Sequence, residues 1–259
     1  MLSIEEYVNT PIEIERELKF LFKRNSPEII LDIGSCTGED SIKYSNLFPH
    51  AKIIAFEPLG SNIKIMRDHF QKFNKNNIII ENIALSDEEG EADFYLSSGS
   101  PIDTISEDSY TTLIPKEWNK SSSLLMPSEE SSKHMPWLKF EKKEKVRTIR
   151  LDSYLQKEEI NFVDFAHLDV QGAELKVLQG MGSFINKLKV LWIEVENIEL
   201  YKGQPLKNDL HRFLKHNNFQ LIKDTSIQKI AGDCLYINKN FFNVVNRFLV
   251  KKLSLFREI

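Results

Sequence analysis

Short apolar runs alternate with helix-like segments along most of this chain, and this alternation restricts the folds that are open to it. The strand-like runs are apolar throughout rather than at every second residue, which is typical of parallel strands covered on both faces. The predicted strands are residues 29–31, 52–56, 78–80, 162–168, 190–195, 219–223 and 234–237. The predicted helices are residues 14–22, 39–48, 62–73, 173–179 and 206–216. This alternation, with short connections, predicts an α/β fold with a doubly wound, mainly parallel sheet.

The end of the sheet and the domain boundaries follow from the same pattern. The runs at 219–223 and 234–237 lie too close together for a crossover helix, which predicts an antiparallel hairpin at the C-terminal edge of the sheet. The length of 259 residues suits one large α/β domain or two small ones. We assign residues 1–26 to an N-terminal helical extension, 27–240 to the main domain and 241–259 to an amphipathic C-terminal helix.

A different kind of segment interrupts the alternation at residues 97–145. It is rich in Ser, Pro and Glu, contains scattered aromatic and methionine residues, and is too long for a simple connection in a compact domain. One interpretation is a mobile surface loop. The other is a substrate lid, with Ser122, Ser123, His134 and Trp137 as candidate contacts for an acceptor.

Composition excludes several classes of protein. The 34 basic and 38 acidic residues give a formal net charge of −4, which argues against nucleic acid as a partner. Only two cysteines occur, Cys36 and Cys234, too few for a disulfide framework and without the spacing of a zinc site, so we predict no metal. The N-terminus lacks the pattern of a secretory signal, and no apolar run approaches the ~20 residues that span a bilayer. We therefore expect a cytoplasmic protein.

The first candidate binding motif is a glycine turn after the first predicted strand, with the pattern D-x-G-x-x-x-G. Gly34 and Gly38 allow the backbone to approach a ligand, and the following helix offers free N–H groups. A nicotinamide fingerprint would carry a glycine where Asp32 stands, and this carboxylate would repel a pyrophosphate. Asp32 can instead hydrogen-bond around a cationic amino-acid ligand such as S-adenosylmethionine. A purely structural turn is the alternative.

Two further motifs follow the next strands. Glu57 lies at the carboxyl end of the second strand, about 20 residues after the glycine turn, where a carboxylate can accept both hydroxyls of a ribose. The alternative is an ordinary surface glutamate at a strand end. Residues 81–87 follow the third strand and could meet an adenine edge, although Asn, Ser and Asp are also common turn residues.

The fourth motif, HLDVQGAE, again places an acid and a glycine between a strand and a helix. His167 and Asp169 point to one face of the sheet at its carboxyl edge, where open α/β sheets bind ligands. Asp169 could also serve as a helix N-cap, and His167 could be a core histidine. Glu194 and Glu196 share a face of the next strand and could turn toward the same cleft.

Together these segments resemble the FkbM-type family of S-adenosylmethionine-dependent methyltransferases. The resemblance is carried by LDIGSCTG, AFEP, NIALSD and HLDVQGAELKVLQG, with SSSLL, TIRLDSYL, WIEVE and LYKGQP as further landmarks. It covers roughly residues 27–238 and implies a class I, Rossmann-like methyltransferase fold. The cofactor-binding residues that it implies are Asp32, Gly34, Ser35, Gly38 and Ser41 at the methionine part, Glu57 and Pro58 at the ribose, and Asn82, Ala84 and Ser86 near adenine.

The resemblance also implies a reaction, transfer of a methyl group to a hydroxyl of a sugar, glycan or other small polar acceptor. Asp169, His167 and Glu194 are the candidate catalytic residues. The sequence departs from the family at Cys36, where Asn is common, and at His167, where Lys is common, so the identity of the base is open. A nicotinamide-dependent oxidoreductase and a catalytically silent cofactor-binding module are the alternatives.

The C-terminal helix, residues 241–259, combines apolar residues at helical spacing with several basic ones. A basic amphipathic helix could lie on an anionic membrane. Its apolar surface is broader than one stripe, however, which favours packing against the chain's own domain or against a second subunit in a homo-oligomer.

Overall fold

The computed structural model describes residues 3–99 and 119–255, so residues 100–118 of the predicted lid and 256–259 of the C-terminal helix lie outside the described residues. Seven strands form the main sheet, in the order β3-β2-β1-β7-β8-β10-β9. They are β1 (Ile29–Ile33), β2 (Lys52–Phe56), β3 (Ile78–Glu81), β7 (Val163–Leu168), β8 (Leu188–Glu196), β9 (Phe219–Asp224) and β10 (Ala231–Asn238).

Pairing within this sheet confirms the predicted architecture. β3, β2, β1, β7 and β8 are parallel to one another, whereas β10 runs antiparallel to both β8 and β9. The expected edge hairpin is present, with the last strand inserted between β8 and the edge strand β9. This is the doubly wound class I methyltransferase fold, with a mostly parallel sheet and an antiparallel C-terminal hairpin.

The helices cover both faces of the sheet. They are α1 (Ile4–Val8), α2 (Glu15–Leu21), α3 (Glu39–Leu47), α4 (Gly60–Lys72), α5 (Glu129–His134), α6 (Leu151–Lys157), α7 (Glu174–Gly180), α8 (Lys207–His216) and α9 (Val244–Leu255). One core cluster joins the sheet to α6, α7 and α8, and another joins its opposite face to α2, α3 and α9. Both faces are thus buried, which is the reason why the strands read as continuous apolar runs.

A second, three-stranded sheet was not predicted. It pairs β4 (Ala84–Ser86) with β6 (Lys139–Arg150), and β6 with β5 (Gly90–Ser98). The two ends of the predicted lid, 97–145, are therefore strands rather than loop, because β5 ends and β6 begins inside it. The interpretation of the segment as a substrate lid stays a prediction.

Within residues 3–99 and 119–255, no helix is both long and apolar enough to cross a membrane. In the same ranges, no three His, Cys, Asp or Glu side chains are grouped so as to hold a metal ion.

Candidate active site

The glycine turn after β1 lies where the strand order reverses, between β2 and β7. Gly34 has a φ of +88°, and a Cβ there would lie 1.7 Å from the backbone carbonyl oxygen of Asp169. The Asp169 amide in turn donates to the carbonyl of Ile33 over 3.0 Å. This close approach of two strand ends requires glycine, and it places both acidic motifs beside one another.

A cavity, called the first cavity here, opens on the β2 side of this turn. Its empty space is about 540 Å³, open solvent at its mouth included. Its polar wall is formed by Glu57, Asn62, Asn119, Lys120 and Ser122 together with the Gly34 turn and residues 169–171. Its apolar wall includes Phe56, Pro58, Leu59, Ile83, Ala84, Leu85, Phe94 and Leu124. The cavity therefore combines a slot suited to a flat ring with one buried carboxylate.

Glu57 supplies that carboxylate, at the carboxyl end of β2. It accepts the amide of Cys36 over 3.0 Å on one oxygen and the amide of Leu59 over 2.8 Å on the other. Burial raises the pKa of Glu57 to about 7, although these two hydrogen bonds act in the opposite direction. Each oxygen keeps a lone pair for a further donor, so the group is oriented and can accept two hydroxyls.

The segment expected at adenine contributes in a different way from the prediction. Asn82 donates to the backbone carbonyls of Glu57 and Pro58, over 3.1 and 2.8 Å, and so fixes the end of β2. The Ser86 hydroxyl donates to Asp87 over 3.0 Å. Neither Asn82 nor Ser86 lines the cavity, whereas Ala84 does. Contact of this segment with adenine stays a prediction.

The second cavity lies on the other side of the Gly34 turn. It is lined by Tyr7, Asp32, Gly34, Ser35, Cys36, Glu39, Asp40, Lys120, His167 and Asp169. Four of these, Gly34, Cys36, Lys120 and Asp169, also line the first cavity, so the two share a wall. Its lining contains four carboxylates and two basic side chains, in contrast to the largely apolar first cavity.

His167 and Asp32 are neighbours on adjacent strands and face this cavity. His167 Nδ1 lies 3.3 Å from Asp32 Oδ1 in an ion-pair contact that lacks the alignment of a hydrogen bond. Burial alone would lower the pKa of His167, but the Asp32 carboxylate and two more distant aspartates raise it to about 9. The imidazole is therefore charged at neutral pH, which disfavours His167 as a base.

Two other predicted residues line neither cavity. They support Asp32 and the start of α3 instead. Ser41, fully buried on α3, donates a short hydrogen bond to Asp32 Oδ2. Gly38 precedes α3 with a φ of +84°, and a Cβ there would lie 2.6 Å from the Phe70 ring. The Ser35 hydroxyl returns to the Asp32 carbonyl over 2.6 Å and closes the turn.

Buried carboxylates cluster where β7 and β8 end. Gln171, in a left-handed conformation, donates through Nε2 to Asp169 Oδ1 over 2.7 Å and to Glu194 Oε2 over 2.6 Å. Burial, together with the neighbouring carboxylates, raises the pKa of Glu194 and of Glu196. Asp169 is the member of this cluster that lies on the wall between the cavities.

Residues 119–125, called the cover segment here, close over this edge. Lys120 pairs with Glu39 over 3.0 Å, and the Ser123 hydroxyl donates to the Gln171 carbonyl over 2.7 Å. Tyr201 anchors the segment further, since its hydroxyl lies 2.8 Å from the Ser121 carbonyl. Asn119, Lys120, Ser122 and Leu124 face the first cavity, while Ser123 is fully buried beneath them.

The predicted site residues thus divide into two groups. Those that line a cavity are Asp32, Gly34, Ser35, Glu57, Pro58, Ala84, Ser122, His167 and Asp169. Those that line neither are Gly38, Ser41, Asn82, Ser86, Ser123, His134, Trp137 and Glu194. His134 ends the short helix α5, exposed and 3.5 Å from Glu130. The roles of these residues stay predictions.

The sequence analysis missed Tyr7, Lys120 and Gln171. The capping box of Ser3 and Glu6 marks the start of α1 and could have revealed the helix that carries Tyr7. Tyr7 reaches the second cavity and donates to Asp40 over 2.9 Å. Lys120 directly precedes the SSSLL landmark and Gln171 lies inside HLDVQG, but neither position carried a distinguishing chemical signal.

Comparison with known proteins agrees with this geometry. The Methyltransferase FkbM domain matches residues 32–221. The 2-O-methyltransferase NoeI of Sinorhizobium fredii is 29% identical over 197 residues, covering 76% of this chain and 74% of that protein. Similar solved structures include precorrin-6y C5,15-methyltransferase from Geobacter metallireducens, at 14% identity, 89% and 88% coverage and a TM-score of 0.43. Another is the N-terminal domain of EvdMO1 with SAH bound, at 8% identity, 91% and 84% coverage and a TM-score of 0.44.

The residues present fit S-adenosylmethionine on the chain's own geometry. A buried carboxylate and an apolar slot suit an adenosine, and the charged wall next to them suits an amino-acid group. The family match spans more than half of the chain. The protein belongs to the FkbM-type methyltransferases and uses S-adenosylmethionine as its cofactor.

Proposed function

We propose that this chain transfers a methyl group to a hydroxyl oxygen of a sugar, a glycan or another small polar acceptor. The observation that carries the proposal is Asp169, a carboxylate on the wall between the two cavities, held by Gln171 beside the carboxyl of Glu194. The similarity to a protein named as a 2-O-methyltransferase supports oxygen as the acceptor atom. Membership of the family removes the nicotinamide-dependent alternative.

Cofactor binding would divide between the cavities. The first would take the adenosine, with Glu57 accepting the ribose hydroxyls and the slot around Ala84 and Phe94 enclosing the ring. The second would take the amino-acid end, a zwitterion that needs both signs of charge. Its ammonium would lie toward Asp32, and its carboxylate toward Lys120 and the charged His167.

In the transfer itself, S-adenosylmethionine supplies an electrophilic methyl carbon on a sulfonium. Asp169 would accept the proton of the acceptor hydroxyl as its oxygen takes up that methyl group. His167 already carries a proton and so orients rather than accepts one. Gln171 holds the Asp169 carboxylate in place, and the cover segment limits access of water to this edge.

The proposal also includes the class of acceptor that is disfavoured and the compartment of the protein. The net charge of −4 and the acidic second cavity disfavour nucleic acid as an acceptor. Cys36 and Cys234 are free thiols, which suits a reducing compartment such as the cytoplasm.

The experiment is methyl transfer from labelled S-adenosylmethionine to a panel of free sugars, oligosaccharides and small hydroxylated metabolites. We expect label in an ether, which survives mild alkali, whereas a methyl ester releases its label as methanol. Label on nitrogen or carbon would overturn the choice of oxygen. Calorimetry with the cofactor, run in parallel, shows whether the protein binds S-adenosylmethionine even where no acceptor in the panel is methylated.

A further inference from the structure

The outer face of α9 carries large apolar side chains that no part of the described chain covers. These are Val244, Val245, Phe248, Leu249 and Leu255, which we call the apolar stripe. Phe248 is 64% exposed and Leu255 75% exposed. Five such side chains on one helix of 12 residues exceed what single scattered surface residues would explain.

The stripe is held in place by the opposite face of the same helix. Val250 is fully buried, and Phe242 just before the helix is also buried, both in the core cluster that includes α2. The Ser254 hydroxyl donates to the carbonyl of Ile222 in the edge strand over 3.0 Å. The helix is therefore packed against the domain through one face, and the apolar stripe on its other face points outward.

Charge is distributed unevenly around this helix. From residue 239 to residue 255 the chain contains no Asp or Glu, but it contains Lys239, Arg247, Lys251 and Lys252. Lys251 and Lys252 are exposed beside the apolar stripe. The whole chain has a net charge of −4, so this basic helix stands against the overall charge.

The apolar surface continues beyond the start of the helix. Phe162 is 50% exposed and lies edge to face with Phe241, with ring centroids 6.0 Å apart. The Lys189 ammonium lies 5.9 Å from the Phe162 ring and 5.8 Å from the Phe241 ring. Lys189 is also paired with the Asp164 carboxylate over 2.6 Å, so this aromatic pair adds apolar surface next to α9 but no unpaired positive charge.

We infer that α9 docks on an anionic lipid surface, with the apolar stripe in the headgroup boundary and the two lysines beside it on lipid phosphates. A helix of this length, about 18 Å at 1.5 Å per residue, lies in the plane of an interface and does not cross it. Lysine stems can cover apolar surface while their ammonium groups reach the phosphates. The inference rests on α9 alone and does not depend on the acceptor proposed above.

Charge favours lipid over a second copy of this chain. Pairing two copies through the apolar stripe would bring Lys251 and Lys252 of each copy toward a helix that also lacks acidic residues. Like charges across such an interface are unfavourable, whereas an anionic bilayer complements them.

The test is co-sedimentation of the full chain with vesicles of phosphatidylcholine alone and of phosphatidylcholine mixed with phosphatidylglycerol. We expect binding to the anionic vesicles only, weakened by salt. Lys251→Glu with Lys252→Glu should weaken it roughly tenfold or more, because each reversed charge removes an attraction and adds a repulsion. Phe248→Ser should also weaken it. The matched controls on α4, Lys64→Glu with Arg67→Glu and Ile65→Ser, should bind like the wild type.

Three results would contradict the lipid inference. No binding of the wild type to anionic vesicles overturns the inference, as does equal loss in the α4 controls. So does a dimer in analytical ultracentrifugation that Phe248→Ser converts to monomer while vesicles stay unbound, because a second copy then covers the apolar stripe. Calorimetry with S-adenosylmethionine should give the same affinity for all these variants. A failure of the membrane inference is therefore distinguishable from a failure of the proposed methyl transfer.

Discussion

The two cavities share a wall but differ in what they can recognise. The first is mainly apolar, with one buried carboxylate, Glu57, whose oxygens are already oriented by backbone amides. The second is lined by four carboxylates and by two basic side chains, His167 and Lys120. Shape therefore selects the ligand on one side of the Gly34 turn, and charge selects it on the other. Substitutions in the two cavities should therefore change ligand affinity in different ways.

The largest effect should come from the shared wall. Asp169→Asn removes the proposed proton acceptor but keeps its shape, so kcat should fall by about 100-fold or more while cofactor affinity changes little. Steady-state kinetics with the identified acceptor and calorimetry with the cofactor measure the two quantities. Asp68→Asn, an exposed carboxylate on α4, is the control. A fall in affinity that matches the fall in kcat would assign Asp169 to binding.

In the first cavity, Glu57→Ala should weaken cofactor binding about tenfold or more, because a charge-assisted hydrogen bond contributes roughly 1.5 to 3 kcal/mol. Calorimetry with S-adenosylhomocysteine measures the change, and circular dichroism checks the fold. Asn82→Ala, whose amide only holds the backbone at Glu57 and Pro58, should lose less. Unchanged affinity with an intact fold would remove Glu57 from the ribose.

The second cavity should respond to the amino-acid part of the ligand alone. His167→Gln removes a cation, so S-adenosylhomocysteine should bind several-fold to about tenfold more weakly. Methylthioadenosine lacks the amino-acid group, and its affinity should stay near that of the wild type. Equal losses for both ligands would show that the two cavities do not divide the cofactor as proposed.

The cavity residues that lie at the carboxyl ends of strands could be predicted from the sequence. Asp32, Glu57 and Asp169 each follow a buried apolar run, and parallel strands bring such ends to one edge of the sheet. Glu194 was expected in the cleft but lies behind it, where Gln171 links it to Asp169. Strand alternation indicates a face and an edge, but not which side chain reaches the surface of a cavity.

The rest depended on contacts between distant segments. β6 begins at Lys139 in a charged stretch without strand periodicity, and its pairing with β5 is supported by Lys143 and Lys145 on either side of Asp93. Gln171 and Tyr201 hold the cover segment in place. Gln171 contacts Ser123, which lies 48 residues earlier in the chain, and Tyr201 contacts Ser121, which lies 80 residues earlier. Local patterning carries no information on such partners.

The pH dependence of cofactor affinity distinguishes the cavities again. The free Glu57 has a pKa of about 7, and donation by two ribose hydroxyls stabilises its charged form, so binding lowers that pKa. Affinity should therefore rise with pH up to about 7, by at most tenfold per unit, and then level off. Glu57→Gln should flatten the profile. A fall in affinity over the same range would mean that the protonated carboxyl is the binding form.

The smallest effect concerns the cover segment, the part of the predicted lid that reaches the site. Ser123 donates to the Gln171 carbonyl and accepts the Leu125 amide over 2.9 Å, so Ser123→Ala frees two backbone groups. Loss of such bonds costs about 1 to 3 kcal/mol, which should raise the acceptor KM and the exchange of cover-segment amides several-fold. His134→Ala, on an exposed helix end outside both cavities, should leave both unchanged. If His134→Ala raised KM and Ser123→Ala did not, the acceptor would depend on His134 rather than on the cover segment.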